Sequence, residues 1–285
     1  MSRIKEIMKK LIAIIRRPSM TILPGHLAFF LVLSVVPIIT IIGFIASLFS
    51  FDLHTIMEAM EKALPSEVTE LLLPFINGRT IDSNVWFFII IGFLIASNGA
   101  YSITVASDTL YGMKQKSYLY GRVKALFLTV NLVMLFFFII IVLAFGNVIV
   151  KSILDFGIFQ DIGYNLYSIF RLAKWPISIV VIFFMIKLLY TMAPSHHVPS
   201  KYVNRGAWFT TLSWVLVTAI YSYYVSHFVN YDIFYGGMSS LIVMMIWIYI
   251  LAYGIVIGIA INTEHYQAME KSGPDNTEEL EKTKE

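Results

Sequence analysis

Long apolar runs separated by short polar segments dominate the chain. A helix needs about 20 apolar residues to cross roughly 30 Å of hydrocarbon. Six stretches reach or approach this length, at residues 23–51, 85–106, 125–150, 175–192, 207–228 and 238–261. The fourth opens with Trp175-Pro176, and proline suits the first turn of a helix. Because backbone groups in lipid need internal hydrogen-bond partners, the pattern predicts an all-α integral membrane protein built as a six-helix bundle.

The polar segments at the two ends of the chain divide it into three predicted parts. Residues 1–22 form a basic N-terminal segment, residues 23–262 the membrane domain, and residues 263–285 a polar tail. Between spans one and two, residues 52–82 carry apolar positions at roughly helical spacing. We therefore expect a short extracytoplasmic helical hairpin there, packed over the ends of the spans.

Basic residues alternate between the polar segments. They concentrate in the N-terminal segment, between spans two and three, and between spans four and five: Arg3, Lys5, Lys9, Lys10, Arg16, Arg17, Lys114, Lys116, Arg122, Lys124, Lys201 and Arg205. The intervening loops are poorer in lysine and arginine, and cytoplasmic loops carry the excess of these residues. The distribution predicts a multi-pass protein of a bacterial cytoplasmic membrane with both termini in the cytoplasm.

Composition supports a lipid environment and removes several function classes. Hydrophobic residues make up 58% of the chain and charged residues 14%, against about 45–50% and about 25% in soluble domains. The chain has no cysteine, which excludes disulfides and cysteine-based metal sites. A net charge of +3 is too small to indicate nucleic-acid binding. The predicted partners are membrane lipids, no cofactor is expected, and the oligomeric state stays open.

Span two carries a stripe of polar residues along one helix face. The stripe comprises Ser97, Tyr101, Thr104, Asp108 and Tyr111, with Asn98 beside it. Polar groups are costly in hydrocarbon, so this face is predicted to look into the bundle. Two interpretations follow: hydrogen bonds that join helices, or the wall of a polar cavity.

Two further spans carry candidate cavity residues. In span five an inward stripe comprises Thr211, Trp214, Thr218, Tyr221 and Ser222. In span four Lys187 lies about one turn before the cytoplasmic end, on the same side of the membrane as Asp108. We therefore consider a Lys187–Asp108 ion pair at the mouth of a cavity bounded by spans two, four and five, with snorkelling of the lysine as the alternative.

Catalytic and metal-binding patterns are absent from the sequence. His196 and His197 are adjacent, so they do not share a helix face, and no carboxylate lies near them in the sequence. No Walker motif, nucleophile elbow or His-Glu-x-x-His motif occurs. We predict neither a catalytic residue nor a metal site, and the chain is not expected to be an enzyme.

A family resemblance emerges from motifs spread over about residues 20–265. The second half contains Arg205-Gly206-Ala207, Trp214, Tyr224, Asn230-Tyr231, Tyr235-Gly236, Trp247-Ile248-Tyr249 and Gly258-Ile259-Ala260-Ile261-Asn262. The first half contains Leu27-Ala28-Phe29, Ser34, Pro37 and Asn98-Gly99-Ala100-Tyr101. In this order the motifs resemble the YihY/BrkB family of bacterial inner-membrane proteins, some of which were once labelled ribonuclease BN. The resemblance implies six spans and a role in the cell envelope, with lipid transport and cation/proton exchange both proposed.

The chain departs from that family at two positions. Ala260 stands where the family usually has a glutamate near the end of span six, and Thr191 follows Tyr190 where an arginine is common. Lys187 and Glu264 are the candidates to replace this pair.

These observations favour a transporter-like protein that binds or translocates an anionic phospholipid. Hydroxyl and aromatic side chains in the stripes suit an amphipathic ligand, and Arg122, Lys124 and Arg205 would form a head-group rim at the cytoplasmic end. The first alternative is a cation/proton antiporter, for which Asp108 is the candidate carboxylate. The second is an envelope scaffold in which the polar stripes only join helices.

Overall fold

The computed structural model describes residues 12–48, 85–139, 163–228 and 238–272, and every regular element within these ranges is helical. The six long helices are α1 (Ser19–Leu48), α2 (Val85–Tyr111), α3 (Tyr118–Ile139), α4 (Gly163–Met192), α5 (Asn204–Phe228) and α6 (Ser239–Ser272). A 3-10 turn at Ser200–Tyr202 precedes α5. The hairpin predicted at residues 52–82 lies outside the described residues.

Within the described ranges, four helical stretches are long and apolar enough to cross a membrane. They are Ile90–Tyr111, Tyr118–Leu135, Trp175–Met192 and Ser239–Met269. The apolar stretch Ser19–Ser34 in α1 is shorter. An all-α architecture with membrane-spanning helices agrees with the sequence pattern, while the count of six spans stays a prediction.

The helices extend beyond several predicted boundaries. Pro176 lies inside α4 and not in its first turn, because the helix begins at Gly163. A proline inside a membrane helix removes one backbone hydrogen bond, which neighbouring groups can compensate. At the other end of the chain, α6 continues past Asn262 to Ser272 and thus into the predicted polar tail. Hydropathy indicates where a helix leaves the lipid. The helix itself continues as long as its backbone hydrogen bonds continue.

The helices pack in chain order, and α6 closes the bundle. Each of α1 to α5 packs against the next helix, and α6 packs against α5, α1 and α2. The principal neighbours of α2 are therefore α1, α3 and α6, and not the pair α4 and α5 that the sequence interpretation placed around a cavity. Hydropathy alone does not rank helix neighbours, because every inward face is similarly apolar.

Glycines allow α5 and α6 to approach closely. A Cβ added at Gly206 would lie 2.6 Å from Cγ of Asn262 and would also clash with the carbonyl oxygen of Gly258. Small residues of this kind let helix backbones approach in membranes. Where α5 and α6 meet, the Tyr190 hydroxyl of α4 lies 2.6 Å from the Thr210 hydroxyl of α5. It also donates to the Ile255 carbonyl of α6 at 3.0 Å. This contact joins α4, α5 and α6.

Candidate functional site

The polar stripe of α2 is packed in the protein interior. Ser97, Thr104 and Asp108 are buried. The Ser97 hydroxyl donates to the Leu94 carbonyl of its own helix at 2.6 Å. The Thr104 hydroxyl has no hydrogen-bond partner in the described part of the chain. These three residues do not line either of the clefts described below.

Asp108 is held at the end of α2 by the loop that follows α4. Its Oδ1 accepts from the Ser195 backbone N–H at 2.6 Å and its Oδ2 from the Ser195 hydroxyl at 2.6 Å. The carboxylate lies in the last turn, where Gly112 at φ +67° ends the helix and the Met113 N–H donates to the Asp108 carbonyl at 2.9 Å. This is a Schellman C-cap. Asp108 and Ser195 are 1% and 4% exposed, so the contact is shielded from solvent.

The Lys187–Asp108 ion pair considered from the sequence is not formed. Within the described residues the ion pair found joins Arg17 to Glu264, and Lys187 is half-buried on α4. Both oxygens of Asp108 are occupied by Ser195, and the lysine that interacts electrostatically with Asp108 is Lys124. Spacing along a span cannot reveal such a partner, because Ser195 belongs to a loop 87 residues away.

An amphipathic cleft of 390 Å³ lies between the start of α3 and the loop after α4. Its lining combines two lysines, two histidines and an apolar wall: Lys116, Tyr120, Val123, Lys124, Phe127, Thr191, Met192, Pro194, Ser195, His196 and His197. The Lys124 ammonium donates to the Pro194 carbonyl and so ties α3 to the loop. The Lys116 ammonium lies 4.7 Å from the centroid of the Tyr120 ring. Cationic groups beside apolar side chains form a surface that fits an anionic amphiphile.

Three predicted residues meet between α2 and α3. Arg122 Nη1 donates to Asn98 Oδ1 at 2.6 Å, and its Nε donates to the Tyr118 hydroxyl at 2.8 Å. The guanidinium carbon lies 4.8 Å from the Tyr101 ring centroid and 5.1 Å from that of Tyr118. Gly121 allows this approach, because a Cβ there would lie 2.9 Å from the Tyr101 ring. We refer to Arg122, Asn98, Tyr101 and Tyr118 as the arginine cage.

The stripe of α5 mainly joins α5 to α6. Trp214 Nε1 donates to the Leu251 carbonyl at 3.1 Å, the Thr218 hydroxyl accepts from Trp247 Nε1 at 3.3 Å, and the Tyr221 hydroxyl donates to the Val243 carbonyl at 2.9 Å. The Thr211 hydroxyl donates within its own helix. Trp214 also lines a second, largely apolar cleft of 240 Å³ between the two helices.

The predicted head-group rim is divided between different surfaces. Lys124 lines the amphipathic cleft, Arg122 belongs to the arginine cage, and Arg205 is exposed at the first turn of α5. The roles proposed for these residues in binding stay predictions.

Sequence reasoning did not connect the loop residues with the lysines of α3. Ser195, His196 and His197 line the cleft, although the adjacent histidines had suggested no site. The sequence does carry a signal for the wall of the cleft that α3 forms. Within α3, the lining residues follow the i, i+3, i+4, i+7 spacing of one helix face: Tyr120, Val123, Lys124 and Phe127.

Comparison with known proteins identifies relatives over most of the chain. The model of the family described as virulence factor BrkB matches residues 16–282. The ribonuclease-like protein YfkH of Bacillus subtilis (strain 168) is 27% identical over 243 residues, which cover 84% of this chain and 87% of that protein. A UPF0761 membrane protein of Pseudoalteromonas translucida (strain TAC 125) is 31% identical over 106 residues, or 37% of this chain and 35% of that protein. No solved structure matches the chain.

Proposed function

The chain belongs to the virulence factor BrkB family of membrane proteins, and from this premise we propose that it binds the head group of an anionic phospholipid in the amphipathic cleft. In this proposal the protein is transporter-like: it receives the lipid at the cytoplasmic leaflet of a bacterial inner membrane and moves it across the bilayer. All six long helices cross the membrane, and both termini face the cytoplasm.

The observation that carries the proposal is the mixed chemistry of the cleft. Lys116 and Lys124 supply two ammonium groups, and the exposed imidazoles of His196 and His197 can donate further hydrogen bonds to phosphate oxygens. Val123, among other apolar side chains, faces the same space and suits an acyl chain. A bare cation would be repelled by the lysines, and a fully apolar ligand would offer no negative charge to the Lys116 ammonium, so an anionic lipid fits best.

Topology can be tested with single cysteines, since the chain has none of its own. We expect Lys116→Cys and Ser200→Cys to react with a membrane-impermeant maleimide only after permeabilisation. Met238→Cys, at the exposed start of α6, should react in intact spheroplasts. Each expected labelling result follows from the concentration of basic residues on the cytoplasmic side of the membrane. Labelling of Lys116→Cys in intact spheroplasts would contradict the orientation.

Removing the two cleft lysines should weaken binding of phosphatidylglycerol. Each basic residue near an anionic lipid surface contributes about 1 kcal/mol, so Lys116→Gln with Lys124→Gln should lower affinity roughly 10- to 30-fold. Binding of phosphatidylcholine should change little because its head group carries no net charge. The measurement is native mass spectrometry of the detergent-solubilised full chain titrated with each lipid.

A matched control for the cleft lysines lies in the loop that carries Lys116. Lys114 is exposed and does not line the cleft, so Lys114→Gln should leave both affinities near their original values. An equal loss for both lipids in the double variant would mean that the lysines only stabilise the fold, and would contradict the proposal.

The geometry gives less support to cation/proton exchange. That alternative rested on Asp108, but both of its carboxylate oxygens accept hydrogen bonds from Ser195. A carboxylate that holds a loop in place in this way is poorly suited to exchanging ions during turnover. We therefore expect proteoliposomes to show no sodium–proton exchange that depends on Asp108.

A further inference from the structure

A second cationic position lies on the side of α3 that faces α2. Arg122 of the arginine cage contacts Asn98 and Tyr101 of α2, whereas Lys124, two residues later, contacts Pro194 in the loop after α4. Residues two positions apart on a helix point to nearly opposite sides, which explains why Arg122 and Lys124 contact different parts of the protein. The arginine cage is thus distinct from the amphipathic cleft.

The cage lies deep along α2. Asn98 is the central residue of this helix, thirteen residues from Val85 and thirteen from Tyr111. At 1.5 Å per residue it is about 20 Å from either helix end. It also lies within the apolar stretch Ile90–Tyr111. The Arg122 guanidinium that binds its side-chain oxygen is therefore held alongside an apolar part of the bundle, where an uncompensated charge is costly.

The protein groups around Arg122 do not neutralise its charge. A guanidinium has five N–H donors and stays protonated. In the described part of the chain two of these donors are used, toward the Asn98 side-chain oxygen and the Tyr118 hydroxyl, and both acceptors are uncharged. The aromatic faces of Tyr101 and Tyr118 attract the cation but carry no formal charge. No carboxylate among the described residues forms an ion pair with Arg122.

The cage is open on one side. Tyr118 is 61% exposed and Arg122 is half-buried, so the unused donors can be reached past the tyrosine ring. The neighbouring side chain of Leu119 on α3 is exposed and apolar, as expected for a surface facing acyl chains. These surroundings favour a ligand that carries its negative charge on an amphiphile.

We propose that the arginine cage is a second binding site for an anionic phospholipid, in which the Arg122 guanidinium donates to the phosphate oxygens and the Tyr101 and Tyr118 rings hold the guanidinium plane. Arginine suits this role because its fork matches phosphate geometry in a bidentate contact. The site takes its ligand class from the proposed function but uses different residues. It provides a second position for the phosphate, on the side of α3 that faces α2 and away from the loop after α4.

The test counts bound phosphatidylglycerol molecules on the full chain by native mass spectrometry in detergent. We expect two tightly held molecules in the wild type and one in Arg122→Gln, with the affinity of the lost molecule reduced roughly tenfold or more, because hydrogen bonds to a charged group are lost. Arg122→Lys keeps the charge but not the fork, so it should retain the second molecule with weaker affinity. Lys114→Gln should hold two.

Melting temperature separates a binding role from a structural one. If Arg122 binds lipid, added phosphatidylglycerol should raise the melting temperature less in Arg122→Gln than in the wild type, because ligand binding to the native state stabilises it. A variant that melts lower without lipid but still holds two molecules would overturn the inference. Loss of one molecule in Arg122→Gln with no effect of the two cleft substitutions would support the cage and contradict the proposed cleft function.

Discussion

Replacement of Asp108 by alanine is expected to lower the free energy of unfolding by about 3–5 kcal/mol. The substitution removes the acceptor of two short hydrogen bonds from the Ser195 N–H and hydroxyl. Both residues are buried, so water does not readily replace the lost partner. The Lys124 ammonium also loses the negative charge with which it interacts. The measurement is unfolding of the full chain in mixed micelles with increasing denaturing detergent.

Two further variants, one at Asp108 and one at the adjacent residue, test the cause of this loss. Asp108→Asn keeps one acceptor oxygen and should cost less than alanine, because one of the two bonds can persist. Thr109→Val is a matched control on the adjacent residue, whose exposed hydroxyl only donates to the Val105 carbonyl of its own helix. It should change stability by less than about 0.5 kcal/mol. Unchanged stability of Asp108→Ala would show that Ser195 finds other partners and that the loop is not held in this way.

The contact also connects stability with the proposed function. Ser195 forms part of the wall of the amphipathic cleft, so release of the loop in Asp108→Ala should disturb the cleft even though Asp108 does not line it. Lipid affinity should therefore fall together with stability in this variant. In the variant lacking both cleft lysines, affinity should fall further than stability does.

Replacement of Gly206 by alanine is expected to destabilise the bundle by about 3 kcal/mol, the upper part of the usual range for overpacking. The new Cβ would clash with the Gly258 carbonyl oxygen and would lie 2.6 Å from the Asn262 side chain. Neither can easily move. The carbonyl belongs to the backbone of α6, and Asn262 Oδ1 accepts the Gly206 N–H at 2.7 Å. Relief of the clash requires α5 and α6 to separate.

The chain offers a control glycine for this substitution. A Cβ at Gly25, inside α1, would meet no atom within 4 Å. Gly25→Ala should therefore be neutral or should stabilise by up to about 1 kcal/mol, since alanine is the better helix former. The comparison uses melting temperatures of both variants in the same detergent. Similar losses for Gly206→Ala and Gly25→Ala would contradict close packing as the cause.

Several predicted residues proved to be neighbours, although not in the predicted arrangement. Asn98, Tyr101 and Arg122 meet in the arginine cage. Polar groups within an apolar stretch must find partners inside the protein, and this requirement is visible in the sequence. The identity of the partner is not visible. Asp108 was paired with Lys187 from helix ends and charge signs, and the structure shows Ser195 instead.

The sequence by itself determined that this protein is helical and that its helices lie in lipid. Apolar runs of sufficient length can satisfy their backbone groups in lipid only as helices, so this conclusion needs no knowledge of which helices touch. Only the tertiary structure decided what the polar residues do. The amphipathic cleft unites Lys124 of α3 with His196 of the loop after α4, and the Gly206 junction unites the first turn of α5 with Gly258 of α6. Such contacts depend on the order and offset of packed helices. These are set by shape complementarity over whole helix faces, which no local pattern records.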